Sequence, residues 1–271
     1  MKNTLRIPGI LNRAHSAKVP LLIIALAAVI GFTMTACPTD IDDKKGNGGK
    51  TGDDGKDQDG SPSPYLGDNL TLSGQVYTEK WIETSISYEK FTDNLTLTSS
   101  EGSGKITNGQ LSYTIGTPSA LTAFDLTDEE NMFGSWDDLN ADNAEVKGFI
   151  LSNLAASDNS GSVSRENAAR TESETSISHT YESVVYVYVE GDITITGKGK
   201  SRSDTENDDG ITNEDTYTYE DLSLALKKGW NAVYYKEARS GTKAESTITS
   251  TITITMSLNN PNLKWILNTD V

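Results

Sequence analysis

The chain of 271 residues has a single cysteine, so no intrachain disulfide can form. It has two histidines, too few for a His-rich metal centre. Basic residues are also scarce: 23 Lys+Arg stand against 39 Asp+Glu, a formal net charge of −16. Phosphate recognition needs a basic footprint, so this balance argues against nucleic acid as a partner. Two catalytic signatures are missing as well, the Gly-x-Ser-x-Gly elbow and the zinc-binding His-Glu-x-x-His. What remains is a chain with 35% hydrophobic residues, long enough to build one large core or two small ones.

Met1–Ala36 reads as a secretory signal peptide. Its start carries Lys2, Arg6, Arg13 and Lys18 and no acid; an apolar run follows from Leu21 to Ile30 and continues to Met34. Val19 to Met34 is 16 residues, short of the ~20 that a spanning helix needs. The lone cysteine stands where the cut falls. Met34-Thr35-Ala36-Cys37 resembles a lipobox, the motif of bacterial lipoprotein signal peptides, with Met34 where leucine is more usual. The resemblance implies cleavage after Ala36, thioether lipidation of Cys37 and acylation of its new amine. Two or more acyl chains hold a protein firmly on a membrane, so a membrane is the first expected partner, reached through lipid on Cys37. Removing four basic residues and no acid leaves 19 Lys+Arg against 39 Asp+Glu, or −20. Such a body repels anionic head groups, and the lipid must do the anchoring.

Residues 37–64 read as the lipidated cysteine and a flexible, disordered tether. Pro38 to Pro64 holds six glycines, seven aspartates, four lysines and Ser61-Pro62-Ser63-Pro64. This composition cannot bury enough apolar surface to offset the entropy of ordering. A coil of this length spans roughly 30 Å. Asp57-Gln58-Asp59-Gly60 fits part of a calcium loop, but Gly55 and Leu66 then occupy the first and twelfth ligand positions, so the match fails.

Residues 65–271 read as a β-rich globular domain. Ser246 to Leu258 alternates Ile248, Ile252, Ile254, Met256 and Leu258 with Thr247, Thr249, Thr251, Thr253, Thr255 and Ser257. That period of two predicts a half-buried strand with one apolar and one hydroxyl face, bent or bulged because of its length. Similar alternation predicts strands over Leu70–Tyr77, Ile82–Glu89, Leu95–Leu97, Leu111–Ile115, Trp230–Tyr235 and Leu263–Leu267. Val184–Val189 is apolar on both faces, which predicts a central strand covered on both sides. Glu190-Gly191-Asp192 suggests a hairpin into Ile193–Thr196. The apolar positions slip by one between Tyr219 and Leu222, which predicts a bulge near Glu220-Asp221. Thr127-Asp128-Glu129-Glu130 has the spacing of a capping box for a two-turn helix. Polar Ser157–Glu174 and Ser201–Asp215 read as long loops or hairpin ends. The expected fold is all-β, an antiparallel β-sandwich, with a β-barrel as the alternative. Leu70–Tyr77 followed by Gly104–Tyr113 resembles the opening of Ig-like or transthyretin-like modules.

Chemistry is thinly signalled. Beyond the presequence the only histidine is His179, which in a strand shares a face with Ile177 and Tyr181 while Ser178 points away. That leaves it without a nucleophile to activate, and no catalytic residue is assigned. Asp204–Gly210 is the densest acidic stretch, yet Thr216 stands where a calcium loop needs its bidentate Glu. It reads as a solvated hairpin end, so no metal and no cofactor is expected. Trp81, Trp230 and Trp265 sit beside apolar strand residues, whereas Trp136 lies in a polar loop. Lipobox, Asp/Gly/Lys tether and Thr-rich β-domain together resemble uncharacterised lipoproteins of spirochaetes and similar bacteria. The resemblance implies a lipid-anchored cell-envelope protein, on the outer membrane or cell surface, and lends no functional residue beyond Cys37. Without a catalytic constellation, the expectation is a non-enzymatic protein that works by binding or surface interaction. A carbohydrate-active enzyme on a β-sandwich and a structural periplasmic lipoprotein are the alternatives.

Overall fold

The computed structural model describes residues 63–82, 85–99, 101–124, 126, 132–133, 135–158, 160–208 and 210–269. Most of them extend into strands, and no helix is present among them. In chain order the strands are β1 Tyr65–Gly67, β2 Leu70–Ile82, β3 Ser85–Lys90, β4 Leu95–Thr98, β5 Ser103–Thr107, β6 Gln110–Ile115, β7 Thr122–Ala123, β8 Asp137–Ala141, β9 Lys147–Leu151, β10 Leu154–Ala156, β11 Ser162–Glu172, β12 Ser176–Val189, β13 Ile193–Lys198, β14 Ser201–Asp208, β15 Ile211–Tyr219, β16 Leu222–Leu226, β17 Gly229–Ala244, β18 Thr247–Leu258 and β19 Lys264–Asn268. Sixteen of these form one large sheet; β16, β13 and β8 form a small one. The protein is therefore all-β and mostly antiparallel, with parallel pairing at β2–β19 and β15–β18.

Within the large sheet, β10, β4, β5, β6, β2, β19 and β11 bond side by side in that order, and β10 returns to β11. Seven strands thus close a ring. Each contributes to one buried cluster: Leu154, Leu97, Ile106, Tyr113, Leu72, Trp265 and Val163. The ring is packed like a core. A hollow beside Leu72, Leu151, Arg165, Tyr186 and Trp265 measures about 10 Å³, the size of a single water. The β5–β6 turn is Asn108-Gly109, both residues at positive φ (50° and 74°), as a two-residue primed hairpin requires.

β12 and β17 join the ring to everything else. Val184, Tyr186 and Tyr188 of β12, with Trp230 and Ala232 of β17, face the ring core. Val185, Val187 and Val189, with Val233, face the other way, onto Ile193 and Ile195 of β13 and Leu222, Leu224 and Leu226 of β16. The central strand expected at Val184–Val189 is therefore covered on both sides. The small sheet and the large sheet sandwich this second core.

Several local expectations change. Glu190–Asp192 does not fold a hairpin: β13 pairs with β16 and β8, so the chain crosses there to the small sheet. The slip at Glu220-Asp221 has the same cause. β15 ends in the large sheet and β16 starts in the small one, so the faces need not agree. Ile82–Glu89 is not one strand, because β2 runs to Ile82 and β3 returns from Ser85 beside it. Ser157–Glu174 contains β11, bonded to β12 and β19, rather than a loop. Ser201–Asp215 follows the hairpin-end alternative rather than the loop: β14 and β15 pair antiparallel from Ser201↔Thr218 to Asp208↔Ile211. β18 needs no bulge, since it pairs with β17 in unbroken register from Ala244↔Thr247 to Val233↔Leu258.

Candidate functional site

Beyond the two cores the long strands run on side by side in the order β11, β12, β17, β18, β15, β14. The nine residues Lys236–Ala244 alone extend β17 by about 30 Å. This outer part of the sheet has two chemically different faces, set by the alternation of side chains.

On the face continuous with the ring core, the register lines up hydroxyl side chains across strands. Thr171, Ser178, Ser240, Thr251, Thr216 and Ser203 lie opposite one another in one row across all six strands. Five of these six are exposed and Thr216 is half-buried. The next row towards the core is Ala169, Thr180, Ala238, Thr253, Thr218 and Ser201; the next towards the tip is Ser176, Thr242, Thr249, Glu214 and Thr205. Contacts within the rows are long, 3.5 Å for Ser203–Thr216 and 3.4 Å for Ser201–Thr218. Charge is confined to the margins, with Glu214 accepting from the Thr249 hydroxyl at 3.2 Å. At the inner border Glu182 bonds Tyr234 and lies opposite Lys236.

The other face is charged and aromatic. Arg170 and Lys243 both bond the Glu172 carboxylate. Arg239 donates to Asp215 at 2.9 Å and to the Ser250 hydroxyl at 2.8 Å, and that hydroxyl donates to Asp215 in turn. The Tyr181 hydroxyl donates to Glu166 at 2.6 Å, and the Arg202 guanidinium sits 4.8 Å over the Tyr217 ring. Burial works to raise the Glu172 pKa, but the Lys243 and Arg170 contacts outweigh it and hold it below the usual carboxylate value. Burial raises the Tyr235 hydroxyl, helped by the Glu237 charge.

His179 lies in this face, opposite Arg170 on one side and Arg239 on the other. Burial first, then the two guanidinium charges, holds its pKa below the ordinary 6.5. The unfolded chain protonates near 6.5 and the folded chain only at lower pH. The stability this contributes is therefore full above pH ~6.5 and drains as pH falls. Glu172, depressed from 4.5, adds a second loss at lower pH. Melting temperatures from pH 8 to 5 are expected to fall less steeply in His179→Gln than in the parent; parallel curves would refute this assignment.

Ser178 points to the opposite face, as the strand period requires, and across the strands His179 lies between Arg170 and Arg239. Trp136, the least explained tryptophan in the sequence, is buried edge-on against Tyr219 at 5.5 Å, with its indole N–H donating to the Glu220 carbonyl at 2.6 Å. It offers no exposed platform for a sugar. Trp230 and Trp265 likewise donate into the core, to the Gly116 and Ser73 carbonyls, each at 3.0 Å. The acidic stretch 204–215 is an extended hairpin with Asp204 opposite Asp215. No cluster of three His, Cys, Asp or Glu able to hold a metal occurs among the described residues. Ala36, Cys37, the tether up to Pro62 with its Asp57–Gly60 stretch, and the capping box at Thr127–Glu130 lie outside the described residues.

The hydroxyl face is plainest in the sequence on β18. The threonines at alternate positions from Thr247 to Thr255 were the available signal, and Thr216, Thr218, Ser201 and Ser203 carried the same period unread. Comparison with protein-family models, curated protein sequences and solved structures finds no match, so the functional reading rests on the chemistry of this chain.

Proposed function

We propose that this chain is a lipid-anchored protein of a bacterial cell envelope, attached through Cys37, and that its β-domain works by binding rather than catalysis. The observation that carries the reading is the Met34-Thr35-Ala36-Cys37 sequence at the end of an apolar, basic-headed presequence. The way the chain enters the fold supports it. Pro64 accepts the Ala232 N–H at 2.7 Å, and β1 pairs with β17 at Asn231 and Trp230. An anchor on the N-terminal side therefore joins the sheet at its core end. Ala244, at the tip, lies about 40 Å further along the same strand. The outer sheet faces therefore lie at the opposite end of β17 from the point where the N-terminal segment enters the fold. The neighbours of His179 across the sheet are Arg170 and Arg239, an arrangement that suits structure better than general-base chemistry and favours binding as the activity.

Cell fractionation tests the anchor. The parent chain is expected in the membrane pellet, and Cys37→Ala in the soluble fraction with its presequence retained or removed elsewhere. A Cys37→Ala chain that stays fully in the membrane, resisting salt and carbonate washes, would overturn the lipid reading.

A further inference from the structure

The row from Thr171 to Ser203 is the feature that nothing so far uses. We infer that the hydroxyl face of the outer sheet is a docking surface for a single extended chain of an uncharged polysaccharide. The inference rests on reading the chain as a binding protein and names its partner.

Charge decides the class. After loss of the presequence the chain carries −20, yet the central row of this face, Thr171, Ser178, Ser240, Thr251, Thr216 and Ser203, has no charged residue. A polyanion meets repulsion from the whole body and no basic residue in the row. A cationic partner finds its counter-charges elsewhere, on the acid-bearing edges. Protein hot spots are built on Trp, Tyr and Arg, and the three hydroxyl rows have none of these. Each Ser or Thr hydroxyl, by contrast, is one donor and two acceptors that can rotate to suit. A lattice of neutral donor–acceptors is matched by a partner of the same chemistry, a polymer of hydroxyl groups.

Area and shape exclude two rivals. Five strand spacings of ~4.8 Å by two row spacings of ~6.8 Å give roughly 330 Å² for the three rows. Two copies stacked on these three rows would bury roughly 650 Å² in total, under the ~1,200–2,000 Å² of stable interfaces, and both carry the same negative charge. A rigid crystal surface fails for another reason. Neighbouring strands rotate by about 20–25°, so a flat lattice touches only two or three of the six. A single polymer chain follows the twist. The spacing of ~4.8 Å between strands is comparable to one sugar unit, so successive units meet successive strands.

The test is calorimetric titration of the full chain in a detergent without a sugar head group. Soluble β-glucan, mannan and dextran are the probes, and heparin is the anionic control. The parent should bind at least one of the three neutral polymers and not heparin. The combined variant Ser240→Ala, Thr251→Val, Thr216→Val keeps the strand shape but removes three central hydroxyls. It is expected to bind roughly tenfold more weakly or worse, with an unchanged circular dichroism spectrum. Binding that the variant leaves intact, binding to heparin alone, or no binding to any neutral polymer overturns the proposal. These outcomes are independent of anchoring. A chain that Cys37→Ala releases from membranes but that ignores all three polymers loses only the partner assignment.

Discussion

Trp230→Ala is expected to cost about 3–5 kcal/mol, a large share of the ~5–15 kcal/mol that stabilises a typical domain. Trp230 is 1% exposed and stands where the ring core meets the central strands. Its ring meets Tyr188 edge-on at 5.5 Å and Phe149 at 6.1 Å. Its N–H satisfies the Gly116 carbonyl at 3.0 Å. Alanine removes the packing, opens a cavity and leaves that carbonyl unpaired, which pushes the cost towards the upper end. Trp230→Phe keeps an aromatic body and loses mainly the hydrogen bond, so about 1–2 kcal/mol is expected. Urea titration measures both: the midpoint should fall steeply for Ala and slightly for Phe at an unchanged slope. Equal costs would mean that the indole is not packed as described.

Strands with one side on a core could be read directly. β18 alternates because Ile252, Ile254 and Met256 enter the second core while its threonines face solvent. Val184–Val189 reads as apolar on both faces because each face has a core of its own. β11 escaped because its outer half, Asn167 to Glu172, has no core on either side. It is held by main-chain bonds to β12, by the Arg170–Glu172–Lys243 contacts and by the Tyr88 hydroxyl, which bridges the N–H and carbonyl of Ala168 at 2.6 and 2.8 Å. The outer half of β17 escaped for a related reason: Arg239 is satisfied by Asp215 and Ser250 on other strands, so its sequence neighbours show no period.

Crossings between sheets were invisible for another reason. Glu190-Gly191-Asp192 suits a hairpin as well as a crossing, and only the packing of Val189 and Ile193 into one core between two sheets decides it. The hydroxyl face is a non-local property too. Each strand carries its own part of the pattern, but a row of six depends on the pairing order and on the parallel β15–β18 register, which no local spacing encodes.

Ring closure depends on a short seam, and there a single substitution should have the second large effect. Gly161 precedes β11, and its carbonyl accepts the Ala156 N–H at 2.9 Å. A Cβ at position 161 would lie 2.1 Å from the Asn268 carbonyl oxygen and 3.0 Å from the Thr269 Cα. Both are backbone atoms. Asn268 cannot easily retreat, since its side chain donates to Ser164 at 2.8 Å and to Glu166 at 3.1 Å. Gly161→Val must therefore push β19 off β11 or pull β10 out of the ring. Overpacking and the unfavourable φ of 151° together are expected to cost roughly 2–4 kcal/mol. The loss should be local first. Hydrogen exchange is expected to speed up at Ala156 and along β19, while amides of β17 and β18 beyond Lys236 keep their protection until global unfolding. Because β10 has only two pairs to β4 and two to β11, it is the ring strand with the least to hold it when that contact fails. Uniform loss of protection across both sheets would show that the seam and the outer sheet unfold as one unit, and unchanged exchange at Ala156 would place the closure elsewhere.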